Sequence, residues 1–214
     1  MFVIAPSGQF QWRQRWLLPW AKLLVFALAL VPLGELVWAT GFDQLGANPA
    51  EALIRATGEW TLRMLCLVLA VTPLRVIFGL PVLASYRRML GLFVFFYASL
   101  HLLAYVWFDM GFELAEVGRD IVKRPFVLVG FSAFVLLLAM AVTSHARLIK
   151  LLGGKNWKRL HQSIYLIAGL VILHFFWMRA GKNDFAEVAL YASVLLALLA
   201  WRVFDFMRKK RANR

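Results

Sequence analysis

The stretch RLHQSIYLIAGLVILHFF, Arg159 to Phe176, sets His161 and His174 13 residues apart in a segment otherwise as apolar as a bilayer interior. Its reading decides the fold, because a run of this length with so little charge is long enough to cross hydrocarbon as a helix. It is not alone. The chain has 214 residues, 62% of them hydrophobic, far above what a soluble domain of this size carries. Six runs approach the 20 or so helical residues that span a core of roughly 30 Å. They are Leu17–Thr40, Trp60–Phe78, Arg88–Phe108, Phe126–Val142, Trp157–Met178 and Ala186–Met207. Lipid offers no partner for backbone N–H and C=O groups, so these runs must be helices, and their length excludes the short alternating strands of a barrel. The expected fold is an all-α membrane protein, a six-transmembrane-helix bundle forming one integral domain over residues 1–214.

A net charge of +13 invites a nucleic-acid reading, which the distribution of charge removes. With the N-terminus inside, residues 1–22, 75–88, 145–159 and 202–214 fall on the cytoplasmic side and hold most of the 24 lysines and arginines. The acids fall on the other side, Asp205 excepted. This positive-inside register predicts that both termini are cytoplasmic. The tail RKKRANR, Arg208 to Arg214, then reads as an anchor on anionic lipid. The first run follows Arg13 and Arg15 but is too long for a cleaved signal peptide, so it reads as an anchor helix. The single cysteine, Cys66, allows no intrachain disulfide, and no C-x-x-C-H haem-attachment sequence is present.

Orientation turns the histidines into depths. The third run enters near Arg88 and reaches His101 after 13 residues; the fifth passes His161 within about a turn and reaches His174 after another 13. At about 1.5 Å per residue both climbs are roughly 20 Å, so His101 and His174 are expected at one height in the outer half, with His161 near the inner surface. Three readings compete: polar residues that merely hold the bundle together, a proton or ion path, or axial ligation of a haem by two imidazoles. Of the acids within the runs, Glu35, Glu187 and Asp205, Glu35 lies furthest from a run end, and it too sits near an outer end, which gives little to a proton relay. Ala98 and Ala104, three residues either side of His101, suit the approach of a flat macrocycle and equally suit plain packing. Gly91, Gly153, Gly154 and Gly169 are open to the same two readings. Arg63 and Arg179 are placed to serve an outer haem, and Arg75, Arg87 and Arg88 an inner one, although each is also an ordinary snorkelling residue.

The segments RRMLGLFVFFYASLHLLAYVWF and TSHARLIKLLGGKNWKRLHQSIYLIAGLVILHFF together resemble the ferric-reductase-like transmembrane domain. Within it they resemble the haem-binding membrane subunits of bacterial methionine sulfoxide reductase systems. The likeness runs from about Leu17 to Met207. It implies a multi-pass protein of the bacterial inner membrane that holds haem b and FMN. Such a subunit takes electrons from a cytoplasmic flavin reductase or a quinol and passes them to a periplasmic molybdopterin methionine sulfoxide reductase, which repairs oxidised methionine. By match of motif the haem histidines fall on His101, His161 and His174. The wider superfamily carries two histidines on each ligand helix; the positions 13 and 14 residues before His101 are instead Arg88 and Arg87. An inner haem would therefore need another ligand opposite His161, or the inner position holds flavin, with Arg87 and Arg88 on phosphate or propionate. His145 is a candidate for that ligand, and a solvated loop histidine is its simpler reading. Thirteen residues advance a helix by about 220°, so His161 and His174 are not expected to share one face.

No Gly-rich dinucleotide fingerprint is present, so reducing power is expected to come from elsewhere and the final reduction to lie in the partner. Asp109 to Asp120 reads as docking surface, solvated loop or short interfacial helix. Two alternatives remain open at this point: a stand-alone ferric reductase, and a haem-free six-helix transporter or scaffold.

Overall fold

A computed structural model describes residues 8–181 and 183–212, with side chains from residue 19 onward. Arg13, Arg15 and the last two residues of the basic tail lie outside the described side chains. The chain divides into two units, residues 1–44 and 45–214. The first holds α1, Gly8–Gly41, which carries Pro19 and Pro32 within it and starts well before the expected Leu17. Its segment Pro19–Gly41 is long and apolar enough to cross a membrane.

The second unit opens with α2, Pro49–Ile77, which begins 11 residues ahead of the expected Trp60. The local cause is plain: Asn48 accepts the Glu51 N–H at 3.1 Å and Pro49 occupies the first helical position, the usual start signals. Hydropathy missed this outer stretch because it carries Glu51, Arg55 and Glu59. A short 3₁₀ segment, Pro81–Tyr86, leads to α3, Arg87–Ala104, which ends in a π-helical turn at Tyr105–Asp109. Then follow α4, Leu114–Lys123, and α5, Pro125–Val142. The fifth expected run is not one helix. Residues 146–161 form α6, Ala146–His161, kinked at Gly153 with φ of 74°, and α7 is Ile164–Ala180, bent from it by 40°. Ser163 caps the break by donating its hydroxyl to Leu160 O at 2.6 Å. The helix α8, Ala186–Ala212, completes the unit.

Among the described residues five helices are long and apolar enough to cross a membrane, and the bent pair α6 and α7, taken as one span, makes a sixth. Outward faces of the second unit carry Leu67, Leu138, Leu166 and Leu196, the arrangement expected when the surrounding solvent is lipid. The protein is an all-helical multi-pass membrane protein. Within this unit α2 packs most extensively on α3 and α5 on α7. Leu65, Val94 and Tyr97 are fully buried in the first pair, and Ala133, Ile167 and Ala168 are buried in the second.

One contact shows how the apolar interior handles its polar atoms. Pro73 lies inside α2 and has no N–H, which frees the carbonyl of Leu69 four residues back. Arg202 of α8 donates Nη2 to that carbonyl at 2.6 Å and Nη1 to Leu198 O at 3.0 Å. The cation covers a backbone defect that lipid would leave bare.

Candidate functional site

His101 stands on α3 and His174 on α7, and the two rings meet with centroids 6.2 Å apart and planes at 80°. Each is held by a different neighbour. His101 donates Nδ1–H to Ile54 O of α2 at 2.8 Å, and His174 donates Nδ1–H to Phe126 O of α5 at 2.7 Å. A carbonyl can only accept, so both rings carry the Nδ1 proton and, as neutral imidazoles, present a lone pair at Nε2.

The two half-sites are built alike. In each, one helix supplies a carbonyl, and its partner helix supplies the histidine 47 residues later in one case and 48 in the other. In each, a glycine follows the carbonyl by one helical turn and makes room for the ring. A Cβ on Gly58 would lie 3.1 Å from His101 Nδ1 and Cε1; one on Gly130 would lie 2.8 Å from His174 Nδ1. Neither Gly58 nor Gly130 stood out in the sequence, and the glycines that did, Gly91, Gly153, Gly154 and Gly169, face open space. Their trace in the sequence is a spacing, 43 residues from Gly58 to His101 and 44 from Gly130 to His174.

Both rings line a cavity of about 400 Å³ walled by α2, α3, α4, α5 and α7. Apolar side chains such as Leu62, Ala98, Phe134 and Val171 form its body. Its outer rim carries Arg55, Asp109, Arg124 and Arg179. Of the two arginines expected on the outer side, Arg179 reaches this rim, is 7% exposed, and pairs with Glu187 and with Asp184 at 3.4 Å. Arg63 does not line the cavity; it donates to Glu59 and to the Tyr191 hydroxyl, both at 3.0 Å, and lies over Trp60. Arg124, which the sequence reading passed over, pairs with Asp120, and Tyr105 donates its hydroxyl to the same carboxylate at 2.5 Å. That guanidinium holds the Asp120 carboxyl below the usual carboxylate range. Ala98 lines the cavity, whereas Ala104 is buried elsewhere.

His161 is apart from this pair. It closes α6 rather than opening α7, so the expectation of one helix carrying both His161 and His174 is corrected by the break between them. Its ring lies against Trp157 at 4.1 Å, and the group facing its Nε2 is the Thr143 hydroxyl at 3.5 Å. Arg87 lies near enough to act on its charge; Arg87 and Arg88 are exposed. His145 is exposed and caps α6, accepting the Arg147 N–H at 3.4 Å.

Comparison with known proteins sharpens this picture. Residues 57–173 match the family described as ferric reductase like transmembrane component. A protein of Polaromonas naphthalenivorans is 62% identical over 200 residues, covering 93% of this chain and 91% of its own length. Relatives in Herminiimonas arsenicoxydans and Bordetella pertussis are 50% and 48% identical, each over 90% of this chain and over 88% and 93% of their own. All three are named protein-methionine-sulfoxide reductase heme-binding subunit MsrQ. The chain belongs to the MsrQ family. The segment common to the wider ferric-reductase-like family takes in Gly58, His101, Phe126 and Gly130 and stops one residue short of His174. The match to the Polaromonas protein covers nine-tenths of the chain and so spans Ile54 and His174 as well. No solved structure matches the chain.

Proposed function

We propose that this protein is a b-type haem electron-transfer subunit in which His101 and His174 bind one iron from opposite faces of the porphyrin. One observation carries the reading: two imidazoles from separate helix pairs face each other, each with its Nδ1 proton on a carbonyl and its Nε2 lone pair free. Metal–nitrogen bonds of about 2 Å, plus roughly 1 Å from each nitrogen to its ring centre, would put two imidazoles that shared one iron about 6 Å apart at their centroids. The observed 6.2 Å fits. Among the described residues no three His, Cys, Asp or Glu side chains converge on a point, so the donor set suits an iron whose other ligands come from a macrocycle. The apolar walls and the glycines that seat the rings suit the same group.

The haem, when bound, supplies a one-electron couple. The chain's residues do the rest. The Ile54 and Phe126 carbonyls fix the tautomer and orientation of the ligands and raise their basicity. Phe131, Phe134 and Leu137 keep water from the inner side of the pair, and Arg179 stands at the rim with its charge balanced by Asp184 and Glu187. With both termini cytoplasmic, this rim is periplasmic, where an MsrP-like molybdopterin methionine sulfoxide reductase would dock. The whole chain then acts as one integral conduit domain of the bacterial inner membrane. Reducing equivalents enter at the inner end from a flavin reductase or quinol. There His161, Arg87 and Arg88 are the residues that would contact FMN, or an inner haem, at its ring and phosphate or propionate groups; the proximity of Arg87 to His161 supports grouping them.

Haem and flavin stoichiometry of the purified protein, with spectra before and after dithionite, tests the reading. A low-spin six-coordinate spectrum that His101→Ala and His174→Ala each abolish supports it. A colourless, folded protein would overturn it in favour of a transporter or scaffold. Electron delivery to soluble iron chelates at full rate without any periplasmic reductase would instead mark a stand-alone ferric reductase.

A further inference from the structure

The rim of the cavity holds one polar atom that the fold does not use. Among the described residues, Arg124 Nε is the buried side-chain nitrogen left without a hydrogen-bond partner. The Arg124 side chain as a whole is 41% exposed, but its Nε is enclosed, and an enclosed donor without a partner calls for an explanation. The rest of the guanidinium is firmly held. Its Nη2 donates to Asp120, whose carboxylate also accepts a hydrogen bond from the Tyr105 hydroxyl, and its carbon lies 5.4 Å from the Phe126 ring centre. Phe126 is the residue whose carbonyl seats His174. Arg124 thus sits two residues from the carbonyl of one half-site, on the cavity wall, with one donor to spare.

The other rim cations are committed. Arg179 is shared by two carboxylates, and Arg55 is exposed and paired with Glu51 at 3.8 Å. A guanidinium presents five donors along its planar edges, so one edge can hold Asp120 while Nε–H takes a second oxyanion; an ammonium cannot divide itself that way. We propose that Arg124 binds a carboxylate of the cofactor, a porphyrin propionate, through its free Nε–H, with Asp120 and Tyr105 as positioning residues that hold the fork in place. The inference rests on the haem reading above and adds to it the residue that fixes which way the porphyrin edge points.

The test uses the full-length protein in detergent, stripped of haem and reloaded with either haem b or its dimethyl ester, in which both carboxylates are blocked. Haem dissociation is followed spectroscopically in the wild type, Arg124→Gln, Arg124→Lys and Asp120→Asn. With haem b, Arg124→Gln is expected to release the cofactor about tenfold faster, Arg124→Lys nearly as fast, and Asp120→Asn about threefold faster than wild type. With the ester, wild type and Arg124→Gln are expected to agree within about twofold, because the carboxylate that tells them apart is gone. The midpoint potential should fall in Arg124→Gln with haem b and fall less with the ester, where no propionate charge is left uncompensated. An Arg124→Gln effect equally large with the ester overturns the inference, while a persistent six-coordinate spectrum leaves the haem reading standing. A wild type that takes up neither form overturns the haem reading itself. If Arg124→Gln does not fold, Asp120→Asn and Arg124→Lys carry the same ester comparison, and additivity there is equally fatal.

Discussion

Replacing Gly130 by alanine is the sharpest way to ask whether the two rings are seated for ligation. The added methyl would lie 2.8 Å from His174 Nδ1 and 2.9 Å from its Cε1, well inside ordinary contact, so the ring must move. Overpacking of this kind costs about 1–3 kcal/mol. Moving the ring also strains or breaks the 2.7 Å bond to Phe126 O, worth about 0.5–1.5 kcal/mol. Helix propensity favours alanine by roughly 1 kcal/mol, but that gain acts on folding with or without cofactor. The expected net loss falls on haem binding, about 2–3 kcal/mol, or roughly 30- to 150-fold in affinity. Gly58→Ala meets His101 at 3.1 Å, where a shift of a few tenths of an ångström suffices, so its loss should be smaller. Gly91→Ala and Gly169→Ala meet open space and should be neutral or slightly stabilising. Haem per protein by pyridine haemochrome and the low-spin Soret band give the readout. The reasoning is refuted if Gly130→Ala binds haem like wild type, or if Gly169→Ala is as damaging.

Other expectations follow from the same geometry. His161→Ala should keep the six-coordinate spectrum that His101→Ala loses, since its ring faces Thr143 and Trp157 rather than the pair; loss in all three would contradict the separation of the sites. Arg202→Met should lower thermal stability by about 1–3 kcal/mol, because Leu69 O is left bare, and the double variant with Pro73→Ala should recover most of it by restoring a backbone donor. Asp120 has its folded pKa depressed by Arg124, so its stabilising effect is full above its unfolded value of about 3.9 and is lost as pH falls through the folded value. Local opening of α4, read as hydrogen exchange corrected for its intrinsic pH dependence, should therefore be flat from neutral pH down to about 5 and rise only in stronger acid. Asp120→Asn should flatten that rise.

The membrane class and the level of the two histidines were readable because hydrocarbon thickness and helical rise are fixed lengths, and both act on His101 and His174 alike. What escaped notice lies where polarity and helix disagree. Ile54, Arg55 and Gly58 belong to a helical stretch too charged for a hydropathy window, yet they form one wall of the cavity. The reverse error occurred at residues 157–178, where continuous apolarity concealed a 40° break, since nothing in a hydropathy sum records direction. Arg124 reads as a flank residue before a proline; only the fold shows that the chain turns there and brings Asp120 and Tyr105 against it.

The matched construction of the two histidine seats bears on biogenesis. Each seat is finished within its own pair of helices, α2 with α3 and α5 with α7, so the ribosome delivers the first complete before the second has emerged. The two pairs meet directly where α3 packs on α5 and Phe95 stacks on Phe134. A haem held between the two seats would need α7 to supply His174, so its uptake would report that the second helix pair had been inserted.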